Sequence, residues 1–207
     1  MDLNRIRNNS IQAASHLGIS ALPTLPLLDA GLERRDVKQA VSRLLAMHVI
    51  AAVAFGFDRV RATSWLIREA LADSLTDQEK EFLFEGRVPP ERFKSQIEGM
   101  WALAWALGIV KELNFAKDCD NRFVLLLPNL KENQITTEFR KRVEPRPLHE
   151  DVAALDLAYC LHWVMRQCEL DGKPPPAGLK PQVIVERRRA LEWILAKEEW
   201  DTITLDT

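Results

Sequence analysis

Between Glu33 and Phe55 the positions Val37, Ala40, Val41, Leu44, Leu45, His48, Val49 and Ala52 recur at steps of three and four, the period of one face of an α-helix. Gly56 is placed to end that stripe, and the same succession of stripe, cap and breaker runs along most of the chain. Leu3 to Leu17 can form a first helix stopped by Gly18, after which Leu22-Pro23-Thr24-Leu25-Pro26 must run extended. Asp58 can cap a segment through Val60, Trp65, Ile67 and Leu71. Thr76-Asp77-Gln78-Glu79 has the form of a capping box and opens a helix expected to end near Gly86. Pro89-Pro90-Glu91 opens another, with Ile97, Trp101, Ala104, Trp105 and Leu107 on its face as far as Gly108. After Pro145 and Pro147 a long helix is predicted from His149 to Glu169, ended by Gly172, and a last one from about Val183 to Ala196. Lys173-Pro174-Pro175-Pro176-Ala177-Gly178 between them is read as an extended connection.

These signals predict a mainly α fold, a single compact multi-helix domain over residues 1–207 in which residues 1–30 are an N-terminal helix and a Pro-containing extended segment. One stretch resists the reading. Phe123-Val124-Leu125-Leu126-Leu127 lies between Asp120-Asn121 and Pro128-Asn129, and a run so short has no decisive period. A short strand or hairpin near residues 122–128 is slightly favoured over a buried turn. The tail from Glu198 carries Trp200, Ile203 and Leu205, which predicts that it docks on the helices.

With 47% hydrophobic residues in 207, the chain can bury a core without disulfides or a structural metal. Its 28 Lys and Arg against 30 Asp and Glu leave a charge of -2, which supplies no field for nucleic acid phosphates or an anionic membrane. Neither partner is expected. Met1-Asp2-Leu3-Asn4-Arg5 lacks the basic and apolar regions of a secretion signal, so a cytoplasmic location is expected. The apolar stretch Leu44 to Phe57 is interrupted by His48 and Gly56 and falls short of the roughly 20 residues that span a bilayer. Cys160 and Cys168 are eight positions apart on one predicted helix, about 12 Å along its axis, so they and Cys119 are expected as free thiols.

The chain has no Gly-rich phosphate loop, no Cys-x-x-Cys, no His-Glu-x-x-His and no Gly-x-Ser-x-Gly. No cofactor or metal site is expected. His16, His48, His149 and His162 are dispersed, and His149 lies about 20 Å along the helix from His162. The densest polar cluster is His149-Glu150-Asp151 followed by Asp156, Tyr159, His162, Trp163 and Arg166. Tyr159, His162 and Arg166 are neighbours at helical spacing, whereas Asp156 sits about 120° around the helix from His162. One reading is a pocket in which His162 acts as an acid or base near neutrality. The other, which explains the same spacing, is a buried network satisfied by carboxylates from elsewhere.

In the last helix Glu186-Arg187-Arg188-Arg189 stands in front of Leu191, Trp193 and Ile194. Glu186 can pair with Arg189, Arg188 with Glu192, and Arg189 can lie over Trp193. An Arg fork could instead hold a phosphate or carboxylate, and a pocket of that kind would use Asp156, His162, Arg166, Glu186 and Arg187. The tryptophans Trp65, Trp101, Trp105, Trp163, Trp193 and Trp200 fall mostly in apolar stripes, where packing explains them better than ligand stacking does. Glu198, Glu199, Asp201 and Asp206 make the C-terminal end acidic, a candidate surface for steering a basic protein partner.

Trp65-Leu66-Ile67-Arg68-Glu69-Ala70-Leu71, Leu75-Thr76-Asp77-Gln78-Glu79 and Trp101-Ala102-Leu103-Ala104-Trp105-Ala106-Leu107-Gly108 together resemble the front half of the bacterial DUF4272 family. Arg146-Pro147, Asp156-Leu157, His162-Trp163, Glu186-Arg187-Arg188-Arg189-Ala190-Leu191-Glu192-Trp193, Trp200-Asp201 and Asp206-Thr207 resemble its back half, in order. Glu192 stands where that family usually has Asn. The resemblance covers about residue 30 to the C-terminus and brings no catalytic residues with it, since the family has no assigned function. By analogy with small helical bacterial proteins of this kind, it implies a protein-binding module, most concretely a cytoplasmic immunity protein that covers the active site of a cognate toxin. The alternative is an enzyme or small-ligand receptor with a pocket between the last two long helices.

Overall fold

In the computed structural model, which describes residues 1–19, 25–176 and 178–206, the elements run α1 (Leu3–His16), α2 (Val37–Ala54), α3 (Arg59–Arg68), α4 (Asp77–Lys80), α5 (Glu91–Lys94), α6 (Ile97–Ala106), α7 (Thr137–Lys141), α8 (Leu148–Leu170) and α9 (Pro181–Leu195). The fold is mainly α, with no strand among the described residues. Aspartate caps decide several helix starts. Asp2, Asp36 and Asp58 each turn a side-chain oxygen onto backbone N–H groups of a first turn that has no intrahelical acceptor. Asp36 accepts from Lys38 and Gln39, which is why α2 begins at Val37 and not at Glu33. Thr76 and Glu79 form the expected capping box, and Gly86 closes that segment at φ 69°. Between them the helix widens into a π turn over Glu81–Glu85. The stretch opened by Pro89 and Pro90 breaks after Lys94 and resumes at Ile97.

No strand forms near residues 122–128. Phe123–Leu126 is a 3-10 turn, held by N–H groups of Phe123, Leu125 and Leu127 donating three residues back. The Asp120 carboxylate starts it by accepting from the Arg122 N–H. Only Phe123 and Leu127 of the run are buried, whereas Val124 and Leu125 are exposed. A strand would need a partner ladder for its amides, and the turn satisfies them locally instead. Of the expected extended connections, residues 22–24 and Ala177 lie outside the described residues.

The described residues gather into two compact units. The first comprises Met1–Arg35, Asn114–Asp118 and Arg146–Thr207. Here α1 and α9 each pack along α8, burying Val152, Leu155, Leu161 and Val164 from α8 with Ile184, Leu191 and Ile194 from α9. Leu25 and Cys160 are buried under Ile11, Tyr159 and Trp163. The tail docks as the sequence predicts: Trp200 is buried edge-on against Trp193, ring centroids 5.7 Å apart.

The second unit comprises Asp36–Leu113 and Cys119–Pro145, built around α2, against which α3, α5 and α6 pack. By length and composition α2 is the one described helix that could cross a membrane, yet 72% of it is buried inside the protein. Arg43 on α2 meets the capping-box residue Glu79 through both terminal nitrogens, at 2.6 and 2.8 Å, so one carboxylate both starts α4 and neutralises a buried cation. His48 on α2 donates from Nε2 to the Pro128 carbonyl at 3.0 Å, and burial pushes its pKa down to about 4. Trp65 is buried with its indole N–H on the Gln134 carbonyl at 2.7 Å.

Candidate functional site

The polar side chains that the sequence places on the two long helices separate into different environments. Asp156, on the face of α8 toward α1, takes Arg7 as its partner: Arg7 Nη2 and Nε reach its carboxylate at 2.8 and 3.1 Å, both groups buried. The remaining Arg7 nitrogens donate to the carbonyls of Leu25 at 2.7 Å and Pro26 at 2.8 Å. One guanidinium therefore fixes α1, α8 and the segment that follows α1. Arg187, on α9, is buried and donates to the carbonyls of Asn114 at 2.7 Å and Lys117 at 3.0 Å. Glu186 is half-buried beside it on α9.

His162 and Arg166 do share a site. They line a hollow of about 370 Å³ with Met165, Cys168, Glu169, Lys173, Pro175, Pro181 and Val185. Asp156, Glu186 and Arg187 are not among its lining residues. Arg166 pairs with Glu169. His162 Nδ1 lies 2.6 Å from Arg188 Nη1, and because a guanidinium only donates, Nδ1 is the unprotonated acceptor. Burial, then the charges of Arg188 and Arg166, push the His162 pKa down to about 4. At neutral pH the ring is uncharged with its proton on Nε2. With Nδ1 held by Arg188 and Nε2 protonated, neither nitrogen is available as a base.

Arg188 gathers the network. Its Nε and Nη2 both reach Glu192 Oε1 at 3.2 Å, its guanidinium lies 4.9 Å from the Tyr159 ring centre, and Nη2 donates to the Asp206 carbonyl at 3.0 Å. Burial raises the Glu192 carboxyl pKa and Arg188 opposes it.

Two arginines that sequence reasoning did not single out complete the picture. Arg34 Nε donates to buried Asp151 Oδ2 at 2.7 Å. Arg35 lies over Trp193, 4.4 Å from the ring centre, and donates to the carbonyls of Trp193 at 3.1 Å, Ala196 at 2.9 Å and Glu198 at 2.7 Å. The stacking on Trp193 anticipated for Arg189 is thus made by a residue 158 positions away in sequence. The backbone of the C-terminal segment is clamped by Arg35 and Arg188, while the side chains of Glu198, Glu199, Asp201 and Asp206 face outward. None of these acids forms an ion pair with a described residue.

All the motifs of both halves of the chain except Asp206-Thr207 fall within one family profile, a domain of unknown function, DUF4272, which matches residues 6–203. The chain belongs to the DUF4272 family. Its match reaches back through α1, so Arg7 lies inside the DUF4272 region. No curated protein and no solved structure matches the DUF4272 chain.

Three displaced ionisations give this DUF4272 chain a testable pH profile. His48 and His162 have folded pKa values of about 4, below an unfolded value of about 6.5. Burial pushes Asp151 up to about 6 despite the pull of Arg34, from about 3.9 when unfolded. Between pH 4 and 6 the unfolded chain holds two histidine protons that the folded chain lacks, and lacks the Asp151 proton that the folded chain holds. The histidines make stability rise with pH through this window and Asp151 makes it fall. Among these three groups the net is one proton, so together they contribute a rise in unfolding free energy of about 1.4 kcal/mol per pH unit, which the raised Glu192 carboxyl reduces. Denaturant titrations at several pH values check this: His48→Gln flattens the slope and Asp151→Asn doubles it.

Proposed function

We propose that the chain is a protein-binding module, most concretely a cytoplasmic immunity protein whose acidic C-terminal strip engages a basic cognate toxin and covers its active site. The observation that carries this reading is the clamped tail. Arg35 and Arg188 take the tail's carbonyls, Trp200 anchors it from within, and its carboxylates are left toward solvent. A strip ordered before it meets a partner loses little conformational freedom on binding, and unpaired acids on it accelerate the approach of a cationic surface. The side chains that could have formed a catalytic set are occupied within the fold. Asp156 neutralises Arg7, Arg187 holds two loop carbonyls, and Arg188 caps His162.

Co-expression with the product of the adjacent gene is the direct test, with co-purification and neutralisation of its toxicity as the expected result. Failure of any neighbouring product to co-purify or be neutralised would remove the immunity reading. Reversing Glu198, Glu199 and Asp201 to Lys is expected to slow association about tenfold at low salt, with the difference shrinking as salt rises. Circular dichroism should be unchanged, since these side chains are exposed. Association rates that ignore the triple reversal would show that the strip is not the contact.

A further inference from the structure

The hollow beside His162 measures about 370 Å³, and its lining combines two kinds of surface. Met165 of α8, Pro181 and Val185 of α9, and Pro175 of the connection between them are apolar. Arg166, Lys173 and Glu169 are the charged residues of the lining. Two cations against one acid leave a single positive charge. An engineered cavity of about 150 Å³ accepts one benzene ring, so more than twice that volume suits an apolar body of one or two rings.

What distinguishes this hollow from a dent in the surface is the potential at its wall. Arg166 pairs with Glu169, and Lys173 with Asp171 at 3.0 Å, but both pairs are exposed and exposed pairs hold weakly. Arg166 engages Glu169 through Nη1 alone, so Nε and Nη2 have no acceptor among the described residues. His162 reports the resulting balance. It is 6% exposed and lines the hollow. Burial, then the charges of Arg188 and Arg166, lower its pKa, and no carboxylate of a described residue offsets them there. The wall therefore lies in a net positive potential, made by Arg166 from within the lining and by Arg188 from beyond it, 2.6 Å from His162 Nδ1. That potential narrows the class of ligand. A cation is repelled, and a phosphate dianion overcompensates the one excess charge while leaving Met165, Val185 and the prolines uncovered. A carboxylate on an apolar body answers both surfaces.

We infer that this hollow binds a monocarboxylate whose apolar body has the bulk of one or two rings, its carboxylate toward Arg166 and Lys173 and its body against Met165, Pro175, Pro181 and Val185. No proton transfer by His162 is involved, so the ligand is held and not converted. The site does not depend on the protein-binding reading and would survive its failure.

The test uses the full chain and three probes: 2-naphthoate, its neutral counterpart 2-naphthalenemethanol, and inorganic phosphate. Titration calorimetry at pH 7 is expected to show 2-naphthoate binding about tenfold more tightly than the alcohol, the scale of one charge-assisted hydrogen bond. The preference should shrink as salt rises, and phosphate should bind weakest. In methyl NMR the Met165 resonance should move with both aromatic probes, which places them in this hollow. Arg166→Gln, a change at an exposed side chain, should retain the alcohol and lose most of the preference for the carboxylate. Val185→Trp fills the hollow and should abolish binding of both aromatic probes. Should that variant not fold, the affinity ratio and the Met165 resonance in the unaltered protein decide the matter. Equal binding of 2-naphthoate and the alcohol, phosphate binding as tightly as 2-naphthoate, a stationary Met165 resonance, or an undiminished preference in Arg166→Gln would each overturn the proposal.

Discussion

Arg7→Met is expected to lower the free energy of unfolding by about 3–5 kcal/mol, a large part of the 5–15 kcal/mol that holds a typical domain together. The loss does not measure the strength of an attraction in isolation. Asp156 is 2% exposed, and with the guanidinium gone its charge stays buried without a counter-ion, while the Leu25 and Pro26 carbonyls lose their donor. The double variant Arg7→Met/Asp156→Leu separates these costs. If the uncompensated charge dominates, the double variant recovers most of the lost stability, because an apolar pair of similar bulk replaces an ion pair whose desolvation was expensive. Urea denaturation of the single and double variants gives the coupling. A single variant within 1 kcal/mol of the parent would mean that Asp156 is not sealed as the structure places it.

The same residue marks the boundary of what the sequence could reveal. Helix starts were open to reading because the physics is local: Asp58 caps residues next to it, and Thr76 and Glu79 satisfy each other's backbone three positions apart. Asp156, by contrast, is answered from 149 positions away, and no periodicity in α8 announces an arginine in α1. Arg34 for Asp151 and Arg35 for Trp193 are long-range in the same way. His162 and Arg188 were both recognisable as polar residues in apolar surroundings, but their 2.6 Å contact depends on the rotation of α8 against α9. That contact is what turns His162 from a plausible base into an uncharged donor. The run at Phe123 misled for a related reason. Its residues have strand-like character, but a strand exists only with a partner, and Asp120 starts a 3-10 turn without one.

Gly108→Ala should be the most damaging change of a single methyl group in the second unit. Gly108 follows α6 at φ 75° in a helix-ending motif: the Ile109 N–H returns to the Ala104 carbonyl at 2.8 Å and the Gly108 N–H to Trp105 at 3.0 Å. The left-handed backbone alone costs an L-residue about 1–2 kcal/mol. A Cβ there would also stand 2.1 Å from the Glu144 carbonyl oxygen, a backbone atom that cannot swing aside as a side chain would. Moving it strains the link in which the Glu144 N–H donates to the Leu107 carbonyl at 3.1 Å. Adding about 1–3 kcal/mol for the forced shift, the expected loss is between about 2 and 5 kcal/mol. Gly56→Ala supplies the control, because Gly56 ends α2 by the same motif at φ 92° but has nothing within 4 Å of its added Cβ. It should cost only the backbone contribution, so the difference between the two variants in thermal or urea unfolding isolates the close approach of Gly108 to Glu144. Equal losses would show that the segment around Glu144 yields freely, and that the link from Leu107 contributes little to holding it.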